Sequence, residues 1–298
     1  MPQWGGRPNI DLRGKRILLT GASSGIGAVA AEKLAATGAT VIAVARREPL
    51  LHDVVSRIIA SGGSAVAVPV DLADFDQVDE LARTVGAVDI LINNAARSIR
   101  RPLAESLERW HDIERVMQLN YFAPLRLIRG VAPGMMERGD GHIINVATWR
   151  VLPESSPLFA AYNASKAALS AVSRVIDTEW GDCGVHSTTV YYPLVATPMI
   201  APTRAYEGIP ALSCEEAAEW MVTAARTRPV RIAPRKALAL RALDVVAPRA
   251  LNKVLERETN RMNAKVRMDA EQAQHVHRPA AVVIEPAPAV TESLTGRG

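Results

Sequence analysis

Between Lys15 and Ala233, short runs rich in aliphatic residues alternate with longer stretches of helical pattern, and this alternation leaves the chain very few architectures. The runs are Ile17–Thr20, Thr40–Ala45, Ala65–Val70, Asp89–Ile92, His142–Ala147, Ser187–Tyr192 and Val230–Ala233. Between them lie helical stretches at Gly25–Thr37, Pro49–Ala60 and Phe75–Thr84, a long one from Trp110 to Glu137 bent near Pro124, one carrying Tyr162, and Glu215–Arg226. A strand that is apolar on both faces needs cover on both, and a helix after each strand supplies it. The pattern predicts an α/β fold: a Rossmann-type, doubly wound parallel sheet of about seven strands with helices on both faces. Residues 1–234 form this unit. A basic helical extension interrupted at Pro248 is expected over 235–278, and a Pro- and Ala-rich disordered tail over 279–298.

Composition narrows the class further. Hydrophobic residues at 48% and charged ones at 22% are ordinary globular usage, but aromatics are only 4%, so the core must be aliphatic. The formal charge of +4 and pI of about 9.3 favour an anionic partner, and a phosphorylated cofactor satisfies that as well as nucleic acid would. No nucleic-acid motif accompanies the basic residues and stacking aromatics are scarce, so nucleic-acid binding is not expected. Cys183 and Cys214 have neither C-x-x-C spacing nor a histidine cluster beside them, which argues against a disulfide framework and a metal site. The first residues lack an apolar targeting segment, and no run of about 18 apolar residues occurs, so a cytoplasmic protein is expected.

The first strand runs directly into TGASSGIG, Thr20 to Gly27, and then into a helix. Gly21 permits the tight turn, Gly25 lets a phosphate approach the backbone, and Gly27 lets the helix pack close to the sheet. With Ser23, Ser24 and Ile26 between them, these residues leave a helix N-terminus free to hold a pyrophosphate. At the end of the second strand, where a carboxylate usually meets the adenosine ribose, this chain has Ala45 followed by Arg46 and Arg47. Guanidinium groups pair with a 2′-phosphate that a carboxylate would repel, so the cofactor is expected to be NADP(H) rather than NAD(H). Asp71, with Leu72 after it, is placed to meet the adenine edge. Farther along, Tyr162 and Lys166 stand four residues apart in YNASK, on one face of a helix, where both can meet one small object.

TGASSGIG, the NNAA of Asn93 to Ala96, Asn120 in QLNY, and YNASK occur in the order and spacing of the short-chain dehydrogenase/reductase family, which the chain resembles from about Gly14 to Ala233. The resemblance implies that Tyr162 is the general acid/base, that Lys166 favours its phenolate and holds the nicotinamide ribose, and that Asn120 supports a water leading protons to Lys166. It also implies cofactor contacts from Asn93, Ala95, Pro193 and Thr197. Two departures stand out. Where the family has two serines, INVATWR has Ala147 and Thr148, and Thr148 is assigned the role of holding the substrate oxygen; Leu194 replaces the glycine after Pro193.

The phrases RSIRR, HD-x-ER, MQLNYF and TPMIAPT are similar to those of bacterial fatty acyl-CoA reductases and of lipid reductases of mycolate-type metabolism. The substrate expected from this likeness is a long-chain or lipid-linked carbonyl compound, such as an acyl thioester reduced to aldehyde. A 3-oxoacyl, keto-lipid or hydroxysteroid-type ketone reductase is the alternative, and a non-catalytic NADP-sensing or scaffolding protein is a rival of another class. The cluster Arg97, Arg100 and Arg101 is a candidate for CoA phosphates, and the segment 194–212 for a lid over an aliphatic chain. The family implies a homodimer or homotetramer. The basic stretch 235–267 reads either as core or subunit packing or as peripheral membrane contact.

Overall fold

The structure, a computed structural model, describes residues 9–261 except 202, 204 and 205. The expected tail and the end of the basic extension, 262–298, lie outside the described residues. Seven parallel strands form one sheet: β1 (Arg16–Thr20), β2 (Thr40–Ala45), β3 (Ser64–Pro69), β4 (Ile90–Asn93), β5 (Gly141–Thr148), β6 (Val185–Tyr192) and β7 (Arg231–Ile232), in the order β3-β2-β1-β4-β5-β6-β7. The intervening helices are α1 (Gly25–Ala35), α2 (Glu48–Ala60), α3 (Phe75–Thr84), α4 (Leu103–Glu108), α5 (Trp110–Met117), α6 (Ala123–Glu137), α7 (Ala160–Glu179) and α8 (Cys214–Thr227). Two more, α9 (Arg235–Val246) and α10 (248–261), follow the last strand.

The period-two alternation of the strands divides the core into two layers. Ile17 and Leu19 of β1, with Val41 and Ala43 of β2, pack on α1, α2 and α8, while Leu18, Ile42 and Val44 face α3 and α6. Small residues set the spacing on the first face: Ala28, Ala30, Ala31 and Ala35 of α1 are all buried there. With few aromatic side chains available, the core closes by bringing backbones together rather than by filling space with rings.

The long helical stretch expected from Trp110 to Glu137 is interrupted as anticipated, but earlier than Pro124. α5 runs into a π-helical turn at Gln118–Phe122, and only then does α6 begin, with Pro124 in its first turn. The turn centres on Asn120, which is completely buried, and such widened turns commonly mark functional sites. The sheet reverses winding direction between β1 and β4, so the loops after these strands part and open a crevice at the C-terminal edge, where ligands of such sheets bind.

Candidate active site

A cavity of about 980 Å³ occupies that crevice, at the upper end of the roughly 300–1,000 Å³ typical of one small-molecule site. Its floor at one end is the turn after β1. Gly21 has φ +69°, and a Cβ there would lie 2.9 Å from both Asn94 Nδ2 and Ala95 Cα; a Cβ on Gly27 would overlap the Gly21 carbonyl oxygen. The bare backbone lets α1 start directly beneath the cavity. Ser24, the residue just before α1, makes no side-chain cap, and no acidic residue occupies the first turn. By contrast, α3 and α8 are capped by Asp74 and Ser213. The N–H groups at the start of α1 therefore face the cavity with the positive end of the helix dipole, a fit for a pyrophosphate.

Gly21, Ser23, Ser24, Gly25, Ile26 and Gly27 all line the cavity, as do Arg46, Arg47, Asp71, Leu72, Ala95, Pro193 and Thr197. Arg46 stands 3.8 Å from Asp71 with much of its side chain exposed, while Arg47 donates to Ser24 Oγ at 2.6 Å. The pair brackets the place where an adenosine ribose would sit beside α1. Thr197 and Pro198 close over Gly25 from the opposite loop.

Asn93 does not join this group. It is buried below the cavity and donates to Asn145 Oδ1 at 2.9 Å, tying β4 to β5, and the lining residue is Asn94. Neighbouring residues at a strand end point to opposite sides, so one step along the chain exchanges a wall residue for a core residue. The Nδ2 of Asn94 donates to Thr20 and Gly21 carbonyls at 3.0 and 3.4 Å and braces the glycine turn.

Tyr162 and Lys166 lie one turn apart on α7, but only Tyr162 lines the cavity. Lys166 is 1% exposed and donates from Nζ to the Val146 carbonyl at 2.8 Å, so its ammonium stands behind the wall between α7 and β5. Burial lowers its pKa to about 8. The Tyr162 phenol moves the other way: burial, with Tyr206 adding to it, pushes it up to about 12. The sequence suggests that Lys166 favours the phenolate, but in this structure burial and Tyr206 are what shift the phenol, and both raise it. Asn120 also sits behind the wall. It accepts from Arg97 N–H at 2.8 Å and donates to the Arg97 carbonyl at 2.9 Å and to Ser165 Oγ at 3.0 Å, and so fixes the loop after β4 to α7.

Thr148, at the end of β5, lines the cavity beside Tyr162, and its Oγ1 accepts from Arg150 N–H at 3.4 Å. The expected arginine trio separates. Arg97 faces the cavity, whereas Arg101 is ion-paired to the buried Asp112, whose carboxyl is held below its ordinary range first by Arg101 and then by Arg109. Arg101 N–H also donates to the carbonyl of Leu158 at 2.8 Å, and Leu158 has φ +71°. That contact fixes the loop leading to Phe159, whose ring meets Tyr162 edge-on at 6.4 Å. Sequence reasoning missed Tyr206 and Arg150, both on the cavity. Burial raises the Tyr206 phenol, while Arg150 and Arg100 pull against that rise.

Residues 15–208 match the family model described as short chain dehydrogenase. The chain belongs to the short-chain dehydrogenase family. It is an NAD(P)-dependent oxidoreductase. A fatty acyl-CoA reductase of Mycobacterium tuberculosis is 67% identical over 258 residues, covering 85% of this chain and 88% of that protein. A fatty acyl-CoA reductase of Acinetobacter baylyi is 48% identical over 227 residues, covering 75% of this chain and 77% of that protein. Among solved structures, a metagenomic short-chain oxidoreductase in complex with NADP is 30% identical with a TM-score of 0.62, covering 72% of this chain and 90% of the other. Among the described residues no cluster of three or more His, Cys, Asp or Glu could hold a metal ion, and no helix is long and apolar enough to cross a membrane.

The contact between Gly27 and Gly21 is testable directly. Gly27→Ala forces α1 away from the turn at a cost of about 1–3 kcal/mol, and titration with NADPH followed by nucleotide fluorescence should show affinity lowered about tenfold or more. Wild-type affinity in this variant would show that the turn relaxes freely.

Proposed function

We propose that the protein is an NADPH-dependent reductase of long-chain fatty acyl-CoA, releasing fatty aldehyde and free CoA. The observation that carries this reading is one cavity lined together by the glycine turn with Arg46 and Arg47, by Tyr162 and Thr148, and by apolar side chains such as Leu194, Ile200, Leu240 and Leu251. The two fatty acyl-CoA reductases described above support the thioester over a ketone as substrate.

NADPH, when bound, supplies the hydride, so that acyl-CoA, NADPH and one proton give aldehyde, CoA thiol and NADP⁺. The pyrophosphate is assigned to Ser23–Gly27 and the start of α1, and the 2′-phosphate to Arg46 and Arg47. Tyr162 is assigned to the nicotinamide ribose, and Lys166 joins it there only if its Nζ turns from the Val146 carbonyl when the nucleotide binds; Asn93 retains only a supporting place beneath the site. Tyr162 donates its proton to the substrate oxygen, and a phenol whose pKa stands at about 12 is fully protonated at neutral pH, the form a general acid requires. Thr148 donates a hydrogen bond to the same oxygen. The buried ammonium of Lys166 stabilises the phenolate that the transfer leaves; when the resulting hemithioacetal collapses, its hydroxyl proton returns to Tyr162, the C–S bond breaks, and the departing CoA thiolate takes up the one proton of the overall reaction, with Asn120 assigned to the proton path. Arg97 faces the CoA phosphates, and Leu194, Met199, Ile200 and Ile209 cover the acyl end from the loop after β6.

NADPH consumption should be followed with hexadecanoyl-CoA, a long-chain aldehyde, a 3-oxoacyl thioester and a steroid ketone, with products identified by mass spectrometry. Aldehyde from hexadecanoyl-CoA is the expected product, and Tyr162→Phe should lower kcat by about 10²–10⁴-fold while NADPH still binds. Turnover of ketones alone would move the assignment to ketone reduction. Lys166 carries its proton below its pKa of about 8 and loses it above, whereas Tyr162 stays protonated across this range. The rate of reduction should therefore decline as pH rises through about 8, and a Lys166→Arg variant should lose that limb; a limb unchanged in the variant would assign it elsewhere. Arg46→Asp should weaken NADPH binding by about tenfold or more with little effect on NADH, and equal losses for both nucleotides would refute the 2′-phosphate assignment.

A further inference from the structure

The extension after β7 does more than pack against the sheet. Ala237 and Leu240 of α9, and Leu251, Val254 and Leu255 of α10, line the same cavity as Tyr162. Leu251 and Leu255 lie one turn apart on α10 and are 0% and 4% exposed, so they form the inside of a wall. Leu240 is partly exposed and Val254 half exposed, which carries the wall outward toward solvent. These residues all lie beyond 208, where the match to the family model ends.

The chemistry of the cavity changes along its length. Near Tyr162 the lining is aromatic and cationic, with Trp149, Phe159, Tyr206 and Arg150. Along α9 and α10 it is aliphatic, and the polar side chains there, Lys236 and Glu258, are both exposed. The two ends are joined by packing. Ala237, with Leu238 against it, belongs to a buried cluster with Ala147, Leu152 and Tyr191, which places the start of α9 directly on the strand end that carries Thr148. An aliphatic wall that begins at the catalytic strand and offers no buried hydrogen-bonding side chain suits a flexible hydrocarbon chain.

We infer that α9 and α10 form the acyl-chain site of this enzyme and set its preference for chain length. The inference rests on the reading of the substrate as an acyl-CoA. The chain would leave the thioester at Tyr162, pass Ala237 and run between Leu240 on one helix and Leu251, Val254 and Leu255 on the other.

The test uses the full chain and equilibrium binding. Affinities for hexadecanoyl-CoA, octanoyl-CoA and NADPH are measured by titration calorimetry for the wild type and for Leu240→Trp and Val254→Trp, both at positions with solvent on one side. Each indole fills space that only the longer chain reaches, so the ratio of hexadecanoyl- to octanoyl-CoA affinity should fall by about tenfold or more. NADPH affinity reports whether each variant is folded, and Leu240→Phe and Val254→Phe replace any variant that loses it. A ratio unchanged within about twofold in folded variants of a protein that binds hexadecanoyl-CoA overturns this inference alone. A wild type that binds NADPH but neither acyl-CoA overturns the substrate reading, and this inference with it.

Discussion

The arrangement of the active site depends on one buried ammonium. Lys166 is removed from water on α7 and answered by the Val146 carbonyl of β5, a contact in which a full charge strengthens the hydrogen bond. Taking an ammonium out of water is costly, and its pKa drops to about 8 as a result. The same contact locks α7 to the sheet at the level where β5 ends. Tyr162 precedes Lys166 by one turn, so fixing the lysine behind the wall places the phenol on it, and Thr148, two residues after Val146, arrives beside the phenol. Tyrosine, lysine and threonine are therefore positioned by a single strand–helix contact, not by three separate devices.

A second brace holds the loop after β4 in place. Asn120 bonds both the N–H and the carbonyl of Arg97, so its side chain acts as an added peptide group pairing with the loop backbone. The π-helical turn at Gln118–Phe122 is the local departure that accompanies this reach, since a regular helix advances each residue by a different angle. Arg101, through Asp112 and the Leu158 carbonyl, fastens the far end of that loop to the segment entering α7. The cavity walls thus have three polar anchors outside the cavity, which leaves its lining free to be chosen for ligands.

Much of this was legible in the residues. β2 and α3 have the bounds that the alternation predicts, Thr40–Ala45 and Phe75–Thr84, because their apolar periods are unbroken and turn residues flank them. The glycine turn and the arginines after β2 were legible for the same reason: each lies immediately after a strand, where local sequence and tertiary position coincide. The misses have a common origin in long-range contact. α4 is too short for a period to declare itself, and the pairing of Arg101 with Asp112 depends on where that helix turns the chain. Asn93 and Asn94 differ only in the side of a strand end they face, which composition does not encode. Tyr206, α9 and α10 reach the cavity from segments whose own patterns contain nothing about Tyr162.

The replacement of the first family serine by Ala147 takes on a different meaning beside the extension. Read alone, it looks like erosion of a catalytic phrase. In the fold, Ala147 is 3% exposed and packs in a cluster with Leu152, Tyr191, Ala233 and Ala237. A serine hydroxyl buried among those groups without a partner would cost about 1–3 kcal/mol. An alanine there lets α9 settle against the end of β5, and Thr148, one residue on, supplies a hydroxyl to the cavity that both residues line. The apolar residue is thus matched to a helix that begins almost ninety residues later, and the departure reflects an added wall more than a lost reaction.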